Sequence, residues 1–218
     1  MSSRHPNQAQ LGPGRAAARP PDRTRRRRRL IALICAIAAA VALTGIAGRP
    51  VTASPRDDGG FPPWPAPADP RPGIKAAGLR AEPMEGAAEH YHAHLDIYVN
   101  GKPVPVAANV GIDPASQTLT DLHTHDTTGV LHIESHTKGA RYTLGQFFTE
   151  WGVKLTRDQI GALKTGGGRT FAAYVGGRPF PGDPAAVVLA PHQEIALVFG
   201  PPNPSFKPPS GYTFPPDE

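Results

Sequence analysis

The sequence predicts an α+β fold, a small mixed β-sheet packed on one main helix, preceded by a single transmembrane helix. Three patterns carry that expectation. Apolar and polar residues alternate strictly from His90 to Asn100 and again from Val130 to Ser135, the period of a half-buried strand. Leu144, Phe147, Phe148 and Trp151 recur at i, i+3, i+4 and i+7, the stripe of an amphipathic helix. Leu30 to Gly48 is a run of 19 residues without a charge, and a helix of that length spans about 28 Å, close to the hydrocarbon thickness of a bilayer.

Charge divides the chain. Residues 1–29 carry nine Arg against one Asp, a net +8. With almost no large apolar group among them, they read as a disordered basic cytoplasmic tail. Residues 30–218 carry 14 Lys and Arg against 17 Asp and Glu, so the formal +5 of the whole chain resides in its first segment. The apolar run 30–48 follows Arg25 to Arg29 directly, which places the N-terminus in the cytoplasm and everything after the run outside it. A cleaved signal peptide ending near Val51-Thr52-Ala53 is the competing reading. The run is longer than the usual apolar region of such a signal, about 7–15 residues. Either way the rest of the chain is exported. A basic tail beside an apolar run has a membrane use, so no nucleic-acid partner is expected. The expected location is the cell membrane, single-pass, with an extracytoplasmic C-terminal domain.

Residues 49–88 hold nine prolines and show no helical or strand period. They read as a semi-rigid Pro-rich linker, able to hold a domain up to about 100 Å from the membrane in polyproline II geometry. The globular domain is expected over 89–200. Its first strand, 90–100, turns at Asn100-Gly101, a strong type I′ signal, and Lys102 to Val106 should pair back on it. Asp113-Pro114 marks another turn, and Thr118 to His123 a short strand. Val130 to Ser135 is the second alternating strand. Thr143-Leu144-Gly145-Gln146 is a capping box that opens the aromatic helix, and Gly152 closes it. A second capping box, Thr156 to Gln159, should open a short helix through Leu163 that stops at Gly166-Gly167-Gly168. That glycine run lacks the Lys-Ser/Thr of a phosphate loop. Thr170 to Val175, turning at Gly176-Gly177, and Glu194 to Phe199 complete the strands. Residues 201–218 hold seven prolines and read as an extended tail.

Seven of the nine histidines fall between Glu89 and His136. His90, His92 and His94 are two apart, as are His123 and His125, and residues two apart share one face of a strand. His132 and His136 add to the second alternating strand. If the two strands are neighbours, their histidine faces merge into one surface turned away from the core. Neutral imidazole ligates zinc, copper, nickel and iron, and a His-x-His with a third histidine from a neighbouring strand gives the three-nitrogen set of some zinc sites. The best ligands are His92, His94, His123 and His125, with His90, His132 and His136 secondary. Asp96, Asp126 and Glu134 are acceptors for the second ring nitrogens. Cys35 is the only cysteine, which excludes an intrachain disulfide and thiolate-rich metal sites. Copper or zinc is expected over calcium or magnesium, which prefer oxygen donors. The competing reading of any single histidine is a packed or solvated polar residue of a sheet face.

The succession of hairpin, strand, helix and two closing strands resembles a β-grasp arrangement, and residues 187–200 resemble the end of ubiquitin-like and sulfur-carrier domains. The chain departs from the sulfur carriers in having no free Gly-Gly terminus, so that carrier activity does not transfer. HYHAHLDIYVNG (90–101), LHTHDTTGVLHIES (122–135) and YTLGQFFTEWG (142–152) also resemble a group of uncharacterised exported, mostly membrane-anchored bacterial and archaeal histidine-rich proteins. That resemblance implies an exported histidine-rich domain and supplies no reaction. The expected function is therefore a membrane-anchored domain that binds copper or zinc, with a cell-surface or metal-handling protein as partner. Two alternatives stay open. One is a His-ligated metal hydrolase or hydratase with Glu134 or Asp126 as base. The other is a metal-free interaction domain at the cell surface.

Overall fold

The alternation in 90–100 builds the central strand of the molecule, and most of the fold follows from what pairs on its two edges. The structure is a computed structural model and describes residues 59–216. In chain order it contains helix α1 (Arg71–Ala76), strands β1 (Ala81–Glu82), β2 (Glu89–Val99), β3 (Lys102–Val104), β4 (Ile112–Asp113), β5 (Thr118–Thr120), β6 (Leu122–His123) and β7 (Val130–Ser135), and helix α2 (Leu144–Trp151). Strands β8 (Leu155–Thr156), β9 (Gln159–Ile160), β10 (Leu163–Lys164), β11 (Thr170–Val175) and β12 (Arg178–Phe180), a 3-10 turn at Pro184–Ala186 and strand β13 (Gln193–Gly200) complete it.

The main sheet has the order β12-β11-β13-β2-β7-β6, with β3 also paired to β2. One edge of β2 carries β13 in parallel, with Leu95 opposite Ile195. The other edge is shared. Its N-terminal half takes β7, with His92 opposite His132, and its C-terminal half takes β3, with Ile97 opposite Val104. Asn100 (φ 52) and Gly101 (φ 76) supply the left-handed pair that a type I′ hairpin requires. Two three-stranded sheets, β1-β5-β4 and β8-β9-β10, lie outside this path. Ala93, Leu95 and Ile97 of β2, Leu131 and Ile133 of β7, and Ile195, Leu197 and Phe199 of β13 enter the same core as Phe147, Phe148 and Trp151 of α2. The side chain of Thr143 accepts from the Gln146 N–H while that of Gln146 accepts from the Thr143 N–H, and Gly152 ends α2 with φ 74.

Four expectations are corrected. The molecule is not a small sheet wrapped on one helix. Strands take 35% of the described residues and helices 11%, so the class is predominantly β, in three sheets. The eight-residue α2 has α1, the 3-10 turn and β8 as its main neighbours, and the β-grasp expectation falls with that. The second capping box opens no helix. Thr156 Oγ1 donates to Asp158 Oδ1 (2.9 Å) and Gln159 Nε2 to the Gly161 carbonyl (2.7 Å), so both side chains close local turns and β8, β9 and β10 form instead. The single-pass membrane placement does not stand either. Among the described residues no helix is long and apolar enough to cross a membrane, and the expected tail 1–29 and span 30–48 lie outside the described residues. Fourth, the histidine face is only partly open: His92, His94 and His123 are buried, while His90 and His125 are exposed.

From Gly59 onwards the Pro-rich stretch packs on the domain. Trp64 is 2% exposed and meets Trp151 edge-on with ring centroids 6.1 Å apart. The Trp64 indole N–H donates to the Gly60 carbonyl (3.0 Å) and that of Trp151 to the Pro65 carbonyl (3.1 Å). Ile74 of α1 is buried as well.

Candidate metal centre

Pleating and register assemble the site. On β2 the odd residues fill the core, which leaves His90, His92 and His94 on the opposite face. Pairing sets His92 across from His132, and β6 on the far side of β7 sets His123 across from His132. Three imidazoles thus form one row across three neighbouring strands. Directly opposed side chains in such a sheet stand about 5 Å apart. The rings of His92 and His132 have centroids 4.5 Å apart and those of His123 and His132 5.3 Å. His125, one turn of chain past β6, closes on the row, 4.8 Å from His123 and 4.5 Å from His132. His90 joins at the near end, 5.2 Å from His92 and opposite Glu134.

Hydrogen bonds fix which nitrogen is free on His123 and on His132. His123 Nδ1 lies 2.9 Å from the Thr120 carbonyl. A carbonyl can only accept, so Nδ1 carries the proton and Nε2 offers a lone pair. That Nε2 lies 3.2 Å from His125 Nε2, close to the separation of two nitrogens on one ion with bonds of about 2.0–2.1 Å. His132 Nδ1 donates to Glu134 Oε1 at 3.3 Å, leaving its Nε2. Ligand atoms of His123, His125 and His132 all fall within 4.8 Å of one another, and so do those of His90, His92 and Glu134. These buried histidine groups around Glu134 can hold a metal ion.

The electrostatics suit a cation. Burial, aided by the neighbouring His132 and His90, pushes His92 down to about 4 against Glu134. Burial likewise lowers His123 to about 4, the Thr120 carbonyl and Glu134 opposing it. Both rings are therefore neutral near pH 7, the form a metal requires. For Glu134 burial acts upward, but the hydrogen bond from His132 and the nearby His123 and His132 overrule it, and its carboxyl sits below the usual range. Its Oε2 is buried without a hydrogen-bond partner. A carboxylate oxygen so placed is costly unless a cation faces it.

The expected ligands divide. His123 and His125 stand together, and the structure adds His132. His92 stands with His90 and Glu134, so Glu134 faces the centre itself rather than only supporting a ring. His94 lies apart. Its Nδ1 is 2.8 Å from Glu194 Oε2 and its Nε2 2.9 Å from the Thr128 carbonyl, so both nitrogens donate and neither lone pair remains. Burial lowers the His94 pKa, yet the hydrogen bond and charge of Glu194 outweigh it and the net shift is upward. Tyr212 stacks on this ring at 3.8 Å. Asp96 goes with that pair. Asp126 accepts from the Thr128 N–H and hydroxyl, and the exposed His136 donates to the Met84 carbonyl at 3.1 Å. Neither joins the centre.

Glu85 is the residue that sequence reading missed, placed as it is in the stretch read as a linker. It groups with His123 and Glu134, and its Oε1 is 4.0 Å from His125 Nε2. Gly86 brings it there. A Cβ at 86 would collide with the Ser135 and His136 backbone, and without one the chain lies on β7, the Gly86 and Ala88 N–H groups donating to the Glu134 and Ser135 carbonyls. Only the nearness of Glu85 to His90 in sequence signals this. On the buried side Gly111, at φ +76, backs against the Leu122 carbonyl and the His123 Cβ, which closes the 107–111 loop over His123.

No protein-family model, curated protein or solved structure matches the chain.

Proposed function

We propose that the chain is a transition-metal-binding protein that holds zinc or copper(II) through His123, His125 and His132, with Glu134 balancing the charge. The observation that carries this is the convergence of three imidazole nitrogens within 4.8 Å. Donor chemistry narrows the ion. Nitrogen and carboxylate oxygen without sulfur suit zinc and copper(II), whereas calcium and magnesium take oxygen alone.

Binding is favoured over hydrolysis by the surroundings. Glu134 is buried among the rings, and Asp126, though exposed, is engaged by the Thr128 N–H and hydroxyl. The cavities lined by Asn100 and Phe206, by Gln146 and Phe148, and by Ile74 and Leu79 include none of the cluster histidines.

The test is elemental analysis and calorimetric titration of the untagged full-length chain with zinc and with copper(II). His125 is the ligand to remove, because its side chain is 47% exposed and its loss leaves the core intact. His125→Ala is expected to weaken binding tenfold or more, about 1.4 kcal/mol. Metal at buffer level in the wild type, or equal affinity in the variant, would overturn the proposal.

A further inference from the structure

We infer that the cluster is built for two ions that share the Glu134 carboxylate, an inference that rests on the metal-binding reading above. Seven side chains converge here, His90, His92, His123, His125, His132, Glu85 and Glu134. A zinc ion in a protein takes about four ligands, so one ion would leave several donors idle. The donors part into sets rather than crowding one point. His123, His125 and His132 form one and His90, His92 and Glu134 the other, while Glu134 also belongs with Glu85 and His123.

Glu134 turns its two oxygens toward different ring nitrogens. Its Oε1 accepts from His132 Nδ1 (3.3 Å) and lies 3.4 Å from His90 Nε2 and 3.9 Å from His92 Nε2. Its Oε2 lies 3.9 Å from His123 Nε2, too far for a hydrogen bond, and has no other partner. One carboxylate whose oxygens meet nitrogens of both sets is the arrangement that bridges paired ions about 3.5–4 Å apart. The row of rings has the matching spacing, since His92 of one set and His132 of the other have centroids 4.5 Å apart. Glu85 brings a second negative charge to the side where His123, His125 and His132 gather.

Each position has two buried donors and one exposed donor, His125 (47%) in one and His90 (56%) in the other.

Copper(II) reports the pairing directly, because two copper ions on one carboxylate couple and lose paramagnetic resonance intensity. The full-length untagged chain, loaded with copper and passed through gel filtration, is expected to retain two ions with an integrated signal well below that of the copper present. His90→Ala, checked by circular dichroism for an unchanged fold, should retain one ion and recover full intensity per copper. One ion in the wild type with full intensity would overturn this inference and leave the single-site reading standing. Two ions with full intensity would overturn the shared carboxylate, and two coupled ions in His90→Ala would overturn the assignment of the second set. Absence of bound copper and zinc alike would remove both the inference and the reading beneath it.

Discussion

His123 makes the sharpest thermodynamic prediction, in the metal-free protein. Its ring is 0% exposed and burial lowers its pKa from 6.5 to about 4. A base with a depressed folded pKa is protonated first in the unfolded chain. Its contribution to stability is thus intact above pH 6.5 and is lost as the pH falls toward 4. Each pKa unit corresponds to about 1.36 kcal/mol, so the full window is worth on the order of 3 kcal/mol and the part crossed by pH 5 about 2 kcal/mol. His94 and Glu150 carry raised values and act in the opposite direction over this range, so the test is a comparison. Wild type and His123→Gln are melted in urea with a chelator at pH 7 and pH 5. Relative to the variant, which cannot titrate at 123, the wild type should lose about 2 kcal/mol on acidification, or roughly 4–8 °C in Tm. A difference between the two proteins that stays constant from pH 7 to pH 5 would refute the assignment of a neutral, water-excluded imidazole at this position.

Trp64 tests whether the Pro-rich stretch belongs to the fold. Trp64→Ala is expected to cost about 3–5 kcal/mol in chemical denaturation, whereas a residue of a free spacer would change stability by less than about 0.5 kcal/mol. Glu150 is a buried acid that keeps its proton. The single hydroxyl proton of Thr120 has the Leu122 carbonyl at 2.6 Å, and the same oxygen lies 3.0 Å from Glu150 Oε2, so the carboxyl is the donor. Burial raises its pKa well above the ordinary value of 4.5, and stability is lost as the pH rises above 4.5 toward the folded value. Glu150→Gln keeps a donor without that loss and should be more stable than wild type at pH 8 by about 1–3 kcal/mol. An equal or lower urea midpoint at pH 8 would argue against a protonated Glu150.

Local features were legible wherever one stretch of chain satisfies its own chemistry. The strands 89–99 and 130–135, the Asn100-Gly101 turn and the Thr143/Gln146 cap all rest on side-chain periods or on partners within four residues. Thr156 and Gln159 show where that reasoning stops. The same residue types at the same spacing found nearer partners in Asp158 and Gly161, and the chain became short strands. Trp64 and Glu85 were illegible because a proline-rich segment carries no period, and their contacts lie at Trp151 and near His123.

What the sequence determined by itself is that the histidines of 90–94 and of 132 stand on strand faces opposite the apolar residues, since side chains alternate whatever the strand is paired with. Only the tertiary structure decided which of them meet. The register sets His92 across from His132, 40 residues later, and His132 across from His123, nine residues earlier, and a shift of one residue would have turned every ring to the other face. The pairing of β13 with β2 likewise put Glu194 beside His94 and spent that ring on an ion pair, because a histidine that donates from both nitrogens has no lone pair left for a metal.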